Sequence, residues 1–110
     1  MDQDKFIEGM CKEINLTEKD VEYIMSLSLA ACNKTTKCMV IMEELAELQQ
    51  AISKMNRDEK CSVCQLIEEM ADVTICLDFL QRIFGISDET LGQAVKVKLL
   101  REGKRRGFDG

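Results

Sequence analysis

Histidine, proline and tryptophan are all absent from this 110-residue sequence. Without imidazole there is no His-based catalytic triad, no His-ligated metal and no Glu-x-x-His di-iron bundle. No stretch approaches the roughly 20 consecutive apolar residues of a membrane-spanning helix. The first ten residues, MDQDKFIEGM, are acidic at their start and carry no apolar run, so the expectation is no secretory signal, no membrane partner and a cytoplasmic location. Six cysteines in that compartment are expected as thiols rather than disulfides. The formal charge of −5 argues against a nucleic-acid partner. Cations nevertheless crowd the C-terminal end: Lys96, Lys98, Arg101, Lys104, Arg105 and Arg106.

What remains is rich in Met, Leu, Ile, Ala, Glu and Lys, which favours helix. Hydrophobic residues make up 45% of the chain, enough for a real core but a small one, with apolar surface left over for subunit contacts. No linker or low-complexity tract divides the sequence, so residues 1–110 are read as one domain. Helical periodicity dominates. It predicts helices over about 3–13, from a Thr17 N-cap to about residue 32, from a Thr35 or Thr36 cap to about 55, from about 62 to 84, and from a Ser87 N-cap to about 106. Gly85 suits the C′ position of the fourth helix, and the last four residues, GFDG, are expected to fray. The two long middle helices are joined by a short polar connection, so they should pack antiparallel. The fold class is therefore all-α: an antiparallel bundle of four to five helices, completed by oligomerisation.

One pattern repeats. IMEELAELQQAI, residues 41–52, and LIEEMADVTICL, residues 66–77, correspond at an offset of 25. The offset aligns Glu43 with Glu68, Glu44 with Glu69 and Glu47 with Asp72. At 100° per residue, Ile41, Leu45, Leu48, Ile52 and Met55 form one apolar stripe, and Leu66, Met70, Val73, Leu77 and Leu80 form another. Glu44 and Glu69 lie about 60° from the centre of their stripes, and Glu47 and Asp72 about 120°. Glu43 and Glu68 lie further round, toward the solvated side, as supporting residues behind the other four.

A single boundary glutamate pair is usually a solvated helix face. Two pairs at matching angles on adjacent helices are different, because four converging carboxylates repel one another and resist desolvation without a cation. An all-oxygen set suits Mg²⁺, Mn²⁺ or Ca²⁺, and Mg²⁺ usually meets such a site together with substrate phosphates. Lys54 lies two turns after Glu47 on the same face. It can meet a phosphate tail, as can Lys98 and Arg101, spaced i, i+3 on the last helix; they can equally serve solubility and the helix dipole. For Lys104, Arg105 and Arg106 the second role is preferred. Cys61 and Cys64 form a C-x-x-C near a helix start, but a structural zinc site needs a second pair and no β-α-β context surrounds this one. Cys76 falls at the helical angle of Ala51 and is read as a core or boundary residue.

The residues EELAEL…AISK followed by EEMADV resemble the E-E-x-x-E and E-x-x-D blocks of the MazG-like all-α nucleoside triphosphate pyrophosphatases. Glu43, Glu44 and Glu47 fit the first block, and Glu69 and Asp72 the second. KLLREGKRR is similar to the Lys-x-x-Arg region near the end of small bacterial and phage-type members. The resemblance is strongest over residues 34–106, with 1–33 as N-terminal helices. The segment SLAACNKTTKC lacks the aromatic residue and glutamine often found before the first block, and Lys37 stands near the place of that glutamine; the asparagine common in the tail of many relatives is not evident.

The resemblance implies an enzyme, a Mg²⁺-dependent hydrolase that converts a nucleoside triphosphate to the monophosphate and pyrophosphate, with Mn²⁺ as a substitute. It makes Glu44, Glu47, Glu69 and Asp72 the metal-binding and catalytic residues, with Lys54, Lys98 and Arg101 on substrate phosphates. It further implies a homodimer or homotetramer. A phosphoribosyl-ATP pyrophosphatase shares this logic with another substrate, and a non-catalytic helical interaction module would keep the helices without the turnover.

Overall fold

The computed structural model describes residues 3–57 and 63–110. Five helices run through them: α1 Gln3–Met10, α2 Glu18–Ala30, α3 Lys34–Asn56, α4 Val63–Phe84 and α5 Asp88–Arg105. No strand occurs among the described residues, so the all-α expectation holds. The chain divides into two compact units, Met1–Phe79 and Leu80–Gly110, and α4 runs on from the first into the second.

Local signals set most helix ends. Thr17 caps α2 through a complete capping box: its Oγ1 accepts from the Asp20 amide at 3.1 Å, and Asp20 Oδ2 accepts from the Thr17 amide at 3.0 Å. The Thr17 amide, and secondarily the Thr17 side chain, hold the Asp20 carboxyl below its usual range. Neither Thr35 nor Thr36 caps α3. Asn33 does, its Oδ1 accepting from the Thr36 amide at 2.8 Å; Asn is at least as good an N-cap as Thr, and the helix begins as soon as one is available. At the end of α4, Gly85 takes φ +66°, and the Ile86 amide donates back to the Gln81 carbonyl at 2.8 Å. Ser87 then caps α5 by accepting from the Thr90 amide. The tail closes back onto the end of α5. Gly107 sits at φ +95°, the Phe108 amide donates to the Gly103 carbonyl at 2.8 Å and the Gly107 amide to that of Lys104 at 3.2 Å. This is the Schellman closure that a left-handed C′ glycine permits, with the Phe108 ring lying over Gly103.

In the first unit the core is small: among the described residues Met25, Ile41, Ala51 and Cys76 with Phe79, together with the carboxylate-bearing Glu68, are buried. The inward face of α3 is Ile41, Glu44, Leu48, Ala51 and Met55, spaced at steps of three and four. That of α4 is Glu68, Asp72, Cys76 and Phe79. These faces are rotated from the expected apolar stripes. Leu45 is 41% exposed, Ile52 53%, Met70 52% and Leu77 49%. Glu68, expected near solvent, is 8% exposed, because it stands one turn from Asp72 on the inward face. Cys76 and Ala51, matched by helical angle, are both buried as expected.

In the second unit α5 carries no buried residue. Gln81 Nε2 donates to the Ile86 carbonyl at 3.3 Å and to Asp88 Oδ1 at 2.9 Å, fastening the turn between the two helices.

Candidate metal centre

The inward turn of α3 and α4 brings the expected carboxylates together. Glu44, Glu47 and Glu69 each place an oxygen within 4.8 Å of the others. Asp72 stands beside them, its side chain close to Glu44, and the side chain of Glu47 is likewise close to Glu69. The pairing is crosswise. The sequence offset matches Glu44 with Glu69 and Glu47 with Asp72, yet a step of three forward on α3 meets a step of three back on α4. The same register continues two turns away, where Lys37, seven residues before Glu44, lies over Phe79, seven residues after Asp72. The two helices are therefore antiparallel here, as the short connection requires.

Crowding these carboxyl groups favours their protonated forms. Burial pushes the Glu44 carboxyl up to about 7, aided by the negative charges of Glu47, Asp72 and Glu69. Glu69 is raised for the same first reason, with Glu47, Asp72 and Glu68 adding to it. Both cause and sign follow from confining like charges away from water. Two oxygens have no partner at all: Glu44 Oε2 and Glu69 Oε2 are buried without a hydrogen bond. A buried carboxylate oxygen left unpaired costs on the order of 1–3 kcal/mol or more. A hard divalent cation would relieve the repulsion and give both orphan oxygens a partner, so the donor set fits an oxygen-preferring ion such as Mg²⁺, Mn²⁺ or Ca²⁺. The neighbouring Cys76 does not turn it into a thiolate site. Burial raises that thiol, and the charges of Glu44 and Asp72 raise it further, against a lowering effect of Lys37, so it stays protonated at neutral pH.

The other expected residues are distributed as follows. Lys54 is half-buried near the end of α3, beyond the carboxylates, and Glu43 is exposed. Lys98 and Arg101 share one face of α5 in the second unit, where they line a groove of about 570 Å³ with Leu91, Val95 and Glu102. Cys61 lies outside the described residues; Cys64 is a half-buried free thiol. Two residues were under-read. Glu68 belongs to the buried set, and Lys37 is a half-buried cation on the carboxylate face of α3. The spacing signalled Lys37, which precedes Glu44 by two helical turns.

No protein-family model matches this chain, and no curated protein or solved structure matches it either.

Proposed function

We propose that this protein is a divalent-cation-dependent nucleoside triphosphate pyrophosphohydrolase of the MazG-like all-α type, acting as a homodimer or homotetramer. The observation that carries the reading is the crosswise carboxylate set, with two buried oxygens unpartnered and the Glu44 carboxyl at about 7. Such a set destabilises the fold that holds it, which is characteristic of a functional site.

When bound, Mg²⁺ supplies charge neutralisation and acidifies water at the site. Glu44, Glu69 and Asp72, ionised, would hold it along with Glu47. Glu47 is the one exposed member of the four, so it is the residue placed to accept a hydrogen bond from the attacking water and orient it toward the α-phosphorus. The new bond joins the water oxygen to the α-phosphorus. The bond that breaks joins that phosphorus to the oxygen bridging to the β-phosphate, which departs with pyrophosphate. The water's proton passes to a carboxylate and then to solvent. Lys54 is assigned to the phosphate tail, where its ammonium offsets charge left outside the metal.

The test is a turnover screen of canonical and modified ribo- and deoxyribonucleoside triphosphates with Mg²⁺, reading monophosphate and pyrophosphate. The expected result is one preferred substrate, with turnover lost in EDTA and in Glu69→Gln. Wild-type protein that turns over nothing, and whose melting temperature ignores Mg²⁺ and Mn²⁺, would overturn the reading in favour of a helical interaction module.

A further inference from the structure

Helix α5 has 18 residues and buries none of them. Its ends are oppositely charged: Asp88 and Glu89 open it, and Lys104, Arg105 and the C-cap Arg106 close it. Asp88, Leu91, Val95, Leu99, Glu102 and Arg106 recur at steps of three and four, so they share one face. Leu91, Val95 and Leu99 are each at least 40% exposed and line the α5 groove of about 570 Å³. At the basic end the Phe108 ring, also exposed, lies over Gly103.

Gly92 adds a second observation. A glycine inside a helix weakens it, yet a Cβ placed at Gly92 would meet no atom of this chain within 4 Å. Nothing in the chain itself requires glycine there. Close approach by another backbone does.

We propose that α5 pairs antiparallel with α5 of a second copy of this chain, about a two-fold axis at the level of Val97. In that register Asp88 faces the partner's Arg106, and Val95 faces the partner's Leu99. Leu91 faces the partner's Gly103 and the ring that covers it. Glu102, held on its own helix by Arg105 at 3.6 Å and by Arg106 at 2.9 Å, faces the open space at the partner's Gly92. Asp88 and Arg106 lie about 27 Å apart along the helix, so opposite charges meet at both ends only when the partner runs antiparallel. A two-fold axis repeats every favourable contact. A helix with acid at one end, base at the other and aliphatic residues midway is therefore its own complement, whereas a foreign helix must carry the same order in reverse. Lys98 stands at the margin, near its own copy across the axis. Its stem extends the apolar floor with the ammonium in water, and the approach of like charges keeps the contact weak.

One pair of helices about 27 Å long falls short of the roughly 1,200 Å² in total that a stable interface buries. The α5 contact therefore adds to a larger contact within a dimer, and two such pairs together join two dimers. The inference rests on the homo-oligomer proposed above, selects the tetramer, and uses none of the carboxylates.

The experiment follows mass by analytical ultracentrifugation over a concentration series of the full chain. Wild type is expected as a tetramer that separates into dimers on dilution. Val95→Lys with Leu99→Lys, both at exposed positions, removes the tetramer and leaves the dimer and its melting temperature intact. Asp88→Lys alone and Arg106→Glu alone each raise the tetramer–dimer dissociation constant about tenfold. The two in one chain restore it, because the pair re-forms with its charges exchanged. Both substitutions oppose the helix dipole, so an effect on helix stability alone makes the double variant the worst of the three. Lys98→Leu removes the like-charge approach and lowers the dissociation constant about tenfold, a gain of discrete tetramer that misfolding does not produce. A wild type that is a dimer or monomer at every concentration overturns the contact, as does a tetramer that survives Val95→Lys with Leu99→Lys. Loss of the tetramer in that variant without rescue by the charge exchange seats α5 on another surface and overturns the self-pairing. Turnover without a tetramer overturns this inference and leaves the pyrophosphohydrolase reading standing; a tetramer with charge rescue and no turnover does the reverse.

Discussion

Glu44 carries the sharpest consequence for a single residue. Its folded-state value of about 7 lies above the ordinary 4.5 of a glutamate. The folded protein therefore binds more protons than the unfolded chain between those values, and without metal this group's contribution to stability falls as pH rises from 4.5 through 7. Below 4.5 the penalty is absent; above 7 it is fully present. Glu44→Gln replaces the ionising group with a neutral one of the same shape. Metal-free Glu44→Gln is expected to be about 1–2 kcal/mol more stable than wild type at pH 7.5, a rise in melting temperature of about 4–8 °C per kcal/mol. That advantage disappears at pH 4, and turnover is lost at every pH. Thermal melts at the two pH values in EDTA check the sign, and a variant less stable than wild type at pH 7.5 contradicts it. Saturating Mg²⁺ or Mn²⁺ should reverse the ranking, because the ligands must be deprotonated to bind and the ion stabilises only the folded form. The four carboxylates themselves were legible from the repeat of spacing. Their partners were not, since an offset aligns like with like and an antiparallel pair of helices crosses them over.

Helix ends were legible wherever one side chain dominates its surroundings. Thr17 with Asp20, Gly85 and Ser87 all stand where local chemistry put them. The start of α3 was misread because Asn33, Thr35 and Thr36 are all good caps within four residues, and only the backbone shows which side chain meets an amide. Asn33→Ala should cost about 1 kcal/mol, whereas Thr35→Ala, which removes no cap, should leave stability nearly unchanged; chemical denaturation of the two variants separates them. At the turn between α4 and α5, Gly85 holds a left-handed conformation in which an added Cβ meets no neighbouring atom. The cost of Gly85→Ala is then backbone strain alone, about 1–2 kcal/mol, and Gly85→Asn should recover part of it because asparagine tolerates that conformation. If alanine and asparagine were equally costly at this position, the strain account would be wrong.

The rotation of α3 and α4 decides which apolar faces the single chain leaves open. Periodicity chose the largest aliphatic residues as the core face, and the structure turns Glu44, Asp72 and Glu68 inward instead. Leu45, Ile52, Met70 and Leu77 are left about half-exposed, and α5 buries nothing. Both helices are thus apolar on two faces, one lining the carboxylates and one with no cover among the described residues. An 18-residue helix that buries no residue is marginal in water, and rows of aliphatic side chains on neighbouring helices favour a contact surface over a solvated one. A second copy of the chain is the cover we propose, with the second apolar face of α3 and α4 at the subunit contact. Light scattering should then give the mass of a dimer or tetramer at micromolar concentration. Leu45→Lys together with Leu77→Lys places two charges in that contact and should shift the mass to the monomer, with a lower melting temperature. The same pair of lysines at exposed Ile14 and Tyr23, outside α3 and α4, controls for the added charge. A wild-type monomer would leave these aliphatic rows unexplained and overturn the subunit contact. A stable oligomer that survives Leu45→Lys and Leu77→Lys would move the contact to another face. Loss of assembly and of turnover together, with Glu44→Gln losing turnover while still assembling, would show that the carboxylates need the second subunit to work and the second subunit does not need them to assemble.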